Sequence, residues 1–128
     1  MASGNFVLDK GYRAATALTK FRAVKFSAAE TVTPVTAITD VVAGVAQFGV
    51  TAGELAKGKG SLTRVMGQTE LEAAGAIPVG SIVTINASGQ GKVAATGERI
   101  IGVCVGHAST NAGDRITCRL TTAGHLAP

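Results

Sequence analysis

The chain repeats itself at an interval of about 59 residues, and that interval limits the folds open to it. Phe21-Arg22-Ala23-Val24-Lys25-Phe26-Ser27-Ala28 resembles Gly80-Ser81-Ile82-Val83-Thr84-Ile85-Asn86-Ala87, an offset of 83 − 24 = 59. Val42-Ala43-Gly44-Val45 resembles Ile100-Ile101-Gly102-Val103, at 102 − 44 = 58. Thr51-Ala52-Gly53-Glu54 resembles Asn111-Ala112-Gly113-Asp114, at 113 − 53 = 60. Leu62-Thr63-Arg64-Val65 then matches Ile116-Thr117-Cys118-Arg119 once six extra residues, Ala56 to Ser61, are set aside. A near-constant offset with small loop insertions marks a duplicated unit, spanning about 20–67 and 79–122. Two such units closing on one another would hide strand edges that either would expose alone.

The unit itself reads as β-structure. Apolar runs of four to eight residues alternate with turn residues, placing strands at Arg22–Ser27, Val41–Phe48, Leu62–Gly67, Ser81–Asn86, Arg99–Val105 and Arg115–Thr121. In Arg115-Ile116-Thr117-Cys118-Arg119-Leu120 the apolar side chains fall on one face and the polar ones on the other, as a half-buried strand requires. Glycine, at 17 residues, outnumbers proline at 3, which suits tight turns between short strands. No stretch keeps a helical period beyond about two turns; Glu70–Ala76 reads as one helical turn or the end of a strand. Residues 1–19 carry few strand signals and read as an extended N-terminal arm, leaving 20–128 as a single domain. The predicted fold is therefore all-β: a compact barrel or sandwich built from two similar units, with that arm attached.

Catalysis needs polar groups converging on one point, and little here converges. His107 falls in a hairpin loop and His125 near the end, neither with a Cys, His or carboxylate at metal-ligand spacing. Glu70 and Glu72 would share the solvent face of a strand. Gly53-Glu54-Leu55-Ala56-Lys57-Gly58-Lys59-Gly60 nearly fits a phosphate-binding loop. However, Gly60 stands where that loop needs Ser or Thr, and the next residues read as strand rather than helix, so a Gly/Lys hairpin tip is expected. Gly89-Gln90-Gly91 reads as a turn. Asn86-Ala87-Ser88 fits the glycosylation triplet, which matters only after secretion. Cys104 and Cys118 flank a turn centred near Asn111, which would place them opposite each other in a hairpin; the two are too isolated for a zinc site, a cross-strand disulfide is geometrically open to them, and two buried thiols are expected. No enzyme, no metal and no cofactor is the expectation.

The net charge of +4 allows nucleic acid as a partner, and a nucleic-acid-binding β-barrel is one alternative reading. Yet the basic residues are scattered, and aromatics at 4% are too few for a base-stacking platform. The local bias lies near the start, where Lys10, Arg13, Lys20, Arg22 and Lys25 are opposed only by Asp9. No run approaches the roughly 18 apolar residues of a membrane span, and the start lacks the layout of a signal peptide. Neither a membrane nor the secretory route is expected.

The second half carries a resemblance. Gly75-Ala76-Ile77-Pro78-Val79-Gly80-Ser81-Ile82-Val83-Thr84-Ile85 leads through Gly91-Lys92-Val93 to Ile100-Ile101-Gly102-Val103-Cys104-Val105, then Ala112-Gly113-Asp114-Arg115-Ile116-Thr117-Cys118-Arg119-Leu120. That order resembles the small decoration, or cement, proteins of tailed-bacteriophage capsids. The match covers Gly75 to Thr122 and extends loosely back to Lys20 through the repeat. The resemblance implies a virion protein on the outer capsid surface, made in the bacterial cytoplasm. Its partner would be the major capsid protein, and it would self-associate, a trimer being favoured. It also implies a terminal arm that grips the shell, here with Phe6, Val7, Leu8 and Tyr12 as apolar anchors and Lys10 and Arg13 as charge partners. Another phage head or tail structural protein is the neighbouring alternative.

Overall fold

The computed structural model describes residues 7–121, and they form a β-fold with one short helix. The strands are β1 (Leu8–Ala14), β2 (Ala23–Ala28), β3 (Thr31–Pro34), β4 (Val42–Ala46), β5 (Ser61–Glu72), β6 (Ile82–Ile85), β7 (Gly91–Val93), β8 (Gly102–Cys104) and β9 (Arg115–Leu120); helix α1 is Ala52–Ala56. Strand order is β1-β3-β2-β4-β5-β9-β8-β6-β7. Because β1 also pairs with β5, the first five strands close into a barrel, and the others are bonded outside it.

One circuit of pairings occurs twice. In the first half Val24 faces Pro34 and Gly44, and Val45 faces Arg64. In the second half Val83 faces Val93 and Gly102, and Val103 faces Arg119. The isolated bridge Leu18↔Val50 has its counterpart in Ile77↔Ser109, each partner 59 residues further on. Even the strained backbone recurs. Phe21 and Glu30 hold left-handed φ values of 59° and 54°, where Gly80 and Gly89 stand in the second half at 91° and 79°. Glycine adopts that conformation freely, whereas Phe and Glu do so against steric cost.

Two expectations change. Leu8–Ala14, expected in an extended arm, is a barrel strand running antiparallel to the first half of β5, with Asp9 facing Arg64 and Tyr12 facing Ser61. The second half of β5 meets β9 in the same way, with Gln68 facing Arg119 and Leu71 facing Ile116. β5 thus serves both circuits, its first half in one and its second half in the other. The match of the last strands also moves by one residue: Thr63 corresponds to Cys118 and Arg64 to Arg119, not Thr63 to Thr117. With a side-chain period of two, that step decides which residues face inward. Thr63 and Cys118 are both fully buried.

Packing follows the same duplication, unevenly. Leu18, Val24, Val32, Ala46 and Val50, joined by Tyr12 and Ala14, fill the first barrel. Leu71, Ala73, Ile77, Val83, Ile85, Ile101, Cys104, Ile116 and Cys118 fill the second half, in one cluster with Ala23, Val35 and Val45. Ala23 and Val45 alternate with the inward Val24 and Ala46, so they face out of the first barrel. They are buried because the second half lies against them. The seam is also polar: Glu72 N donates to the Phe21 carbonyl at 2.8 Å, and Ala23 N to the Gly89 carbonyl at 2.9 Å. Arg22 pairs with Glu72 at 2.8 Å, and the Arg115 guanidinium stacks over the Phe21 ring at 4.7 Å.

Candidate functional site

The residues singled out near the N-terminus divide by exposure. Phe6 lies outside the described residues. Val7 and Leu8 are each 46% exposed, and Leu8 faces Met66, which is 58% exposed. Leu8 and Met66 form an apolar pair at one end of the β1–β5 ladder, whereas Val7 lies beside Arg64, Gln68, Thr69, Glu70 and Thr117. Lys10 and Arg13 are exposed; the Lys10 ammonium lies 5.7 Å from the centre of the Tyr12 ring. Tyr12 is not a free anchor. Its ring packs on the first-barrel core and meets Phe26 edge-on, with centroids 5.1 Å apart. Met66 joins this surface only through strand pairing, since 58 residues separate it from Leu8 and no local pattern links the two.

Two of the five basic residues near the start, Arg22 and Lys25, are paired in the fold, while Asp9, the acid among them, is taken by Arg64. Arg64 donates to both carboxylate oxygens of Asp9, at 2.7 and 3.0 Å. Those hydrogen bonds hold the Asp9 carboxyl below its usual range and raise Arg64. Lys25 pairs with Asp40 at 3.0 Å. Asp40 also accepts from the Thr36 and Ala37 amides, and these contacts, the Thr36 amide first, lower it to about 2. Of the five basic residues near the start, Lys10, Arg13 and Lys20 have no carboxylate within ion-pair distance among the described residues, and the Lys20 ammonium lies 4.8 Å from the centre of the Phe21 ring.

The segment expected as a Gly/Lys hairpin tip contains helix α1 instead. Thr51 caps it: its hydroxyl accepts from the Glu54 amide while the Glu54 carboxylate accepts from the Thr51 amide. This reciprocal Thr-x-x-Glu box was legible in the sequence and is the signal that the reading missed. Lys59 is held by Glu54 at 2.8 Å and lies over the Phe48 ring at 4.8 Å, and Ser61 is buried against Thr63 at 2.6 Å. These contacts occupy the groups that would have to reach a phosphate. Asn86 is likewise engaged, its side-chain oxygen accepting from the Ser88 and Gln90 amides. Glu70 and Glu72 part company: Glu70 is exposed, 3.8 Å from Arg115, whereas Glu72 is tied to Arg22 and Gln90 in the seam.

His107 is exposed in the β8–β9 connection, and His125 lies outside the described residues. Among the described residues, no group of three or more His, Cys, Asp or Glu could hold a metal ion. Cys104 and Cys118 are register partners across β8 and β9, and both are free and fully buried. Burial raises both thiols, Cys118 to about 12, with the neighbouring Cys104 adding to the shift. Since the thiolate is the reactive form, labelling by a thiol reagent at pH 8 should run at least roughly 100-fold slower in the folded protein than in denaturant. Equal rates in the two states would show that the β8–β9 region opens freely.

The architecture has a counterpart among solved structures. The head fiber gp8.5 N base of bacteriophage phi29 superposes with a TM-score of 0.67, over 91% of this chain and 95% of that one. The two share a fold. Sequence identity is 16%. No family model matches the chain, and no curated protein sequence matches it either. The likeness to the phi29 head fiber base spans both halves, so it concerns the duplicated arrangement and not one barrel alone.

Proposed function

We propose that this chain is a structural protein of a tailed-bacteriophage head, bound to the outer capsid surface as a decoration protein that stabilises the shell. The observation that carries this reading is the fold shared, nearly end to end, with the base of a phage head fiber. The residues agree with it. Nearly every strongly polar contact described above is structural: ion pairs that close the barrel, a capped helix and turn-forming carboxylates. Binding is thereby left to the surface rather than to a cleft, and no catalytic role is assigned.

The surface that meets the shell is the β1 end of the first barrel. Val7, Leu8 and Met66 supply apolar contact, and Lys10 and Arg13 supply charge. The partner is the major capsid protein, and the protein acts as a homo-oligomer, a trimer being favoured. Several weakly bound copies that share a frame hold a shell far more tightly than one copy would.

The test mixes purified protein with phage heads lacking it. Saturable co-sedimentation at a copy number that respects the head's symmetry is expected. Leu8→Lys combined with Met66→Glu should weaken attachment by about 10-fold or more at a nearly unchanged melting temperature, because a buried apolar contact would become a pair of buried charges while the two new side chains oppose each other favourably across the ladder. Failure to bind heads, together with a salt-sensitive shift of DNA, would overturn the reading in favour of a nucleic-acid-binding barrel.

A further inference from the structure

The seam between the two halves is a template for a contact between two molecules. It joins two unlike faces. The first half contributes the Phe21–Ala23 edge and the outward side chains Ala23, Val35 and Val45. The second half contributes Glu72, the Gly89 turn and Ile85. Because the fold is duplicated, each face has a counterpart elsewhere on the molecule; one has two backbone groups without a partner among the described residues, and the other is closed by a single bond within the β1–β3 pairing.

Gly80 to Ile82 in the second half corresponds to Phe21–Ala23. At the seam the Phe21 carbonyl and the Ala23 amide hydrogen-bond to the other half. Among the described residues, the Gly80 carbonyl and the Ile82 amide have no such partner. The side chains matching Ala23, Val35 and Val45 are Ile82, Ala94 and Val103, larger or equal in apolar character for the first and last, yet only half-buried.

The other counterpart lies on the first half. Phe26 stands where Ile85 stands in the second, yet Phe26 is 51% exposed and Ile85 1%. Arg13 and Glu30 replace Glu72 and Gly89. Here the Arg13 amide donates directly to the Glu30 carbonyl at 2.8 Å. In the second half the matching groups are parted, and the Phe21–Ala23 edge bonds to both of them. One hydrogen bond closes the free site where two would fill it.

We propose that a second copy of this chain docks head-to-tail at these faces. The Gly80–Ile82 edge of one molecule enters between Arg13 and Glu30 of the next, opening their bond and making two, while Phe26 is covered by Ile82 and Val103. This deepens the self-association in the functional reading and rests on that part of it. The two faces differ, so the contact is heterologous and closes into a ring, or runs on as a filament, according to the turn between successive copies. β6 is otherwise paired on both sides, by β8 and β7, so such a contact consumes only its two free backbone groups, the Gly80 carbonyl and the Ile82 amide, and the half-buried apolar side chains around them.

Light scattering of the wild-type chain, followed by two variants, tests this. Wild type is expected well above 12.8 kDa. Phe26→Lys damages one face and Ile82→Lys the other, so each alone should fall to the monomer mass while still unfolding cooperatively, Phe26→Lys at a somewhat lower temperature because it also loses the edge contact with Tyr12. Mixed in equal amounts, they retain one intact face each and should pair to about twice 12.8 kDa and go no further. A wild type that stays monomeric at high concentration would overturn the self-association itself. An oligomer that survives both substitutions, or variants that fail to pair, would overturn these faces while leaving the head-binding reading intact.

Discussion

Replacing Gly102 by alanine should destabilise the protein by about 3 kcal/mol, close to the upper range for forcing an atom into a packed interior. A β-carbon there would overlap the Arg119 carbonyl oxygen and sit 2.5 Å from Cys118 Sγ. The first obstacle is backbone, held in the β8–β9 ladder, so no rotamer change relieves it. Gly44 meets the same obstacle in the first barrel, at the Arg64 carbonyl and at Thr63 Cγ2, 2.6 Å away. Gly44→Ala should therefore cost a similar amount. Gly75→Ala provides the control: nothing lies within 4 Å of its β-carbon position, and its φ is not in the left-handed range. Urea unfolding should move the midpoints of Gly44→Ala and Gly102→Ala far down and leave that of Gly75→Ala nearly in place. A Gly102→Ala midpoint within experimental error of wild type would mean that β8 and β9 are not packed this closely.

Leu71→Ala should cost about 3–4 kcal/mol, the range for deleting a fully buried leucine side chain whose surroundings cannot collapse. Leu71 is 0% exposed and sits on the half of β5 that belongs to the second circuit, facing Ile116 across the ladder. Its isobutyl group occupies space that Gly91 leaves open; a β-carbon on Gly91 would come 2.7 Å from Leu71 Cδ2. In the first barrel the matching positions are Tyr12 and Val32, so the two halves fill one volume with different pairs. Gly91→Ala alone should cost about 1–2 kcal/mol by crowding Leu71. Combined with Leu71→Ala it should cost less than the sum, because the new methyl enters the vacated space, with a coupling of about 1 kcal/mol. Strict additivity in a double-mutant cycle of urea midpoints would show that the two side chains do not share that space.

Local signals explain why six strands could be placed from residues alone. β2, β4, β5, β6, β8 and β9 contain Val, Ile or Leu in short runs bounded by glycine or by polar turns, and such runs carry their own period. β1, β3 and β7 do not. Leu8–Ala14 holds Asp, Lys, Gly and Arg among its seven residues, and it becomes a strand because Tyr12 and Ala14 fill the first barrel while Asp9 meets Arg64. β3 ends in a proline and β7 has three residues, too short to show alternation. α1 was missed for the opposite reason: its capping box is plain, but the glycines around it drew the reading toward a hairpin. Of the exposed apolar residues around β1, Val7 and Leu8 could be singled out from sequence, whereas Met66, which faces Leu8 across the ladder, could not.

The sequence by itself determined that this is a β-protein with one motif used twice, with glycines at its turns and few groups placed for catalysis. Those properties are written in neighbouring residues and in a constant offset, and neither needs a partner strand to be visible. Only the tertiary structure decided that β5 serves both circuits, that Thr63 rather than Leu62 points inward beside Gly44, and that Ala23 and Val45 are buried while Ile82 and Val103 are half-exposed. Each of those depends on which distant strand lies alongside, and at a side-chain period of two a single residue of register reverses what is inside and what is out.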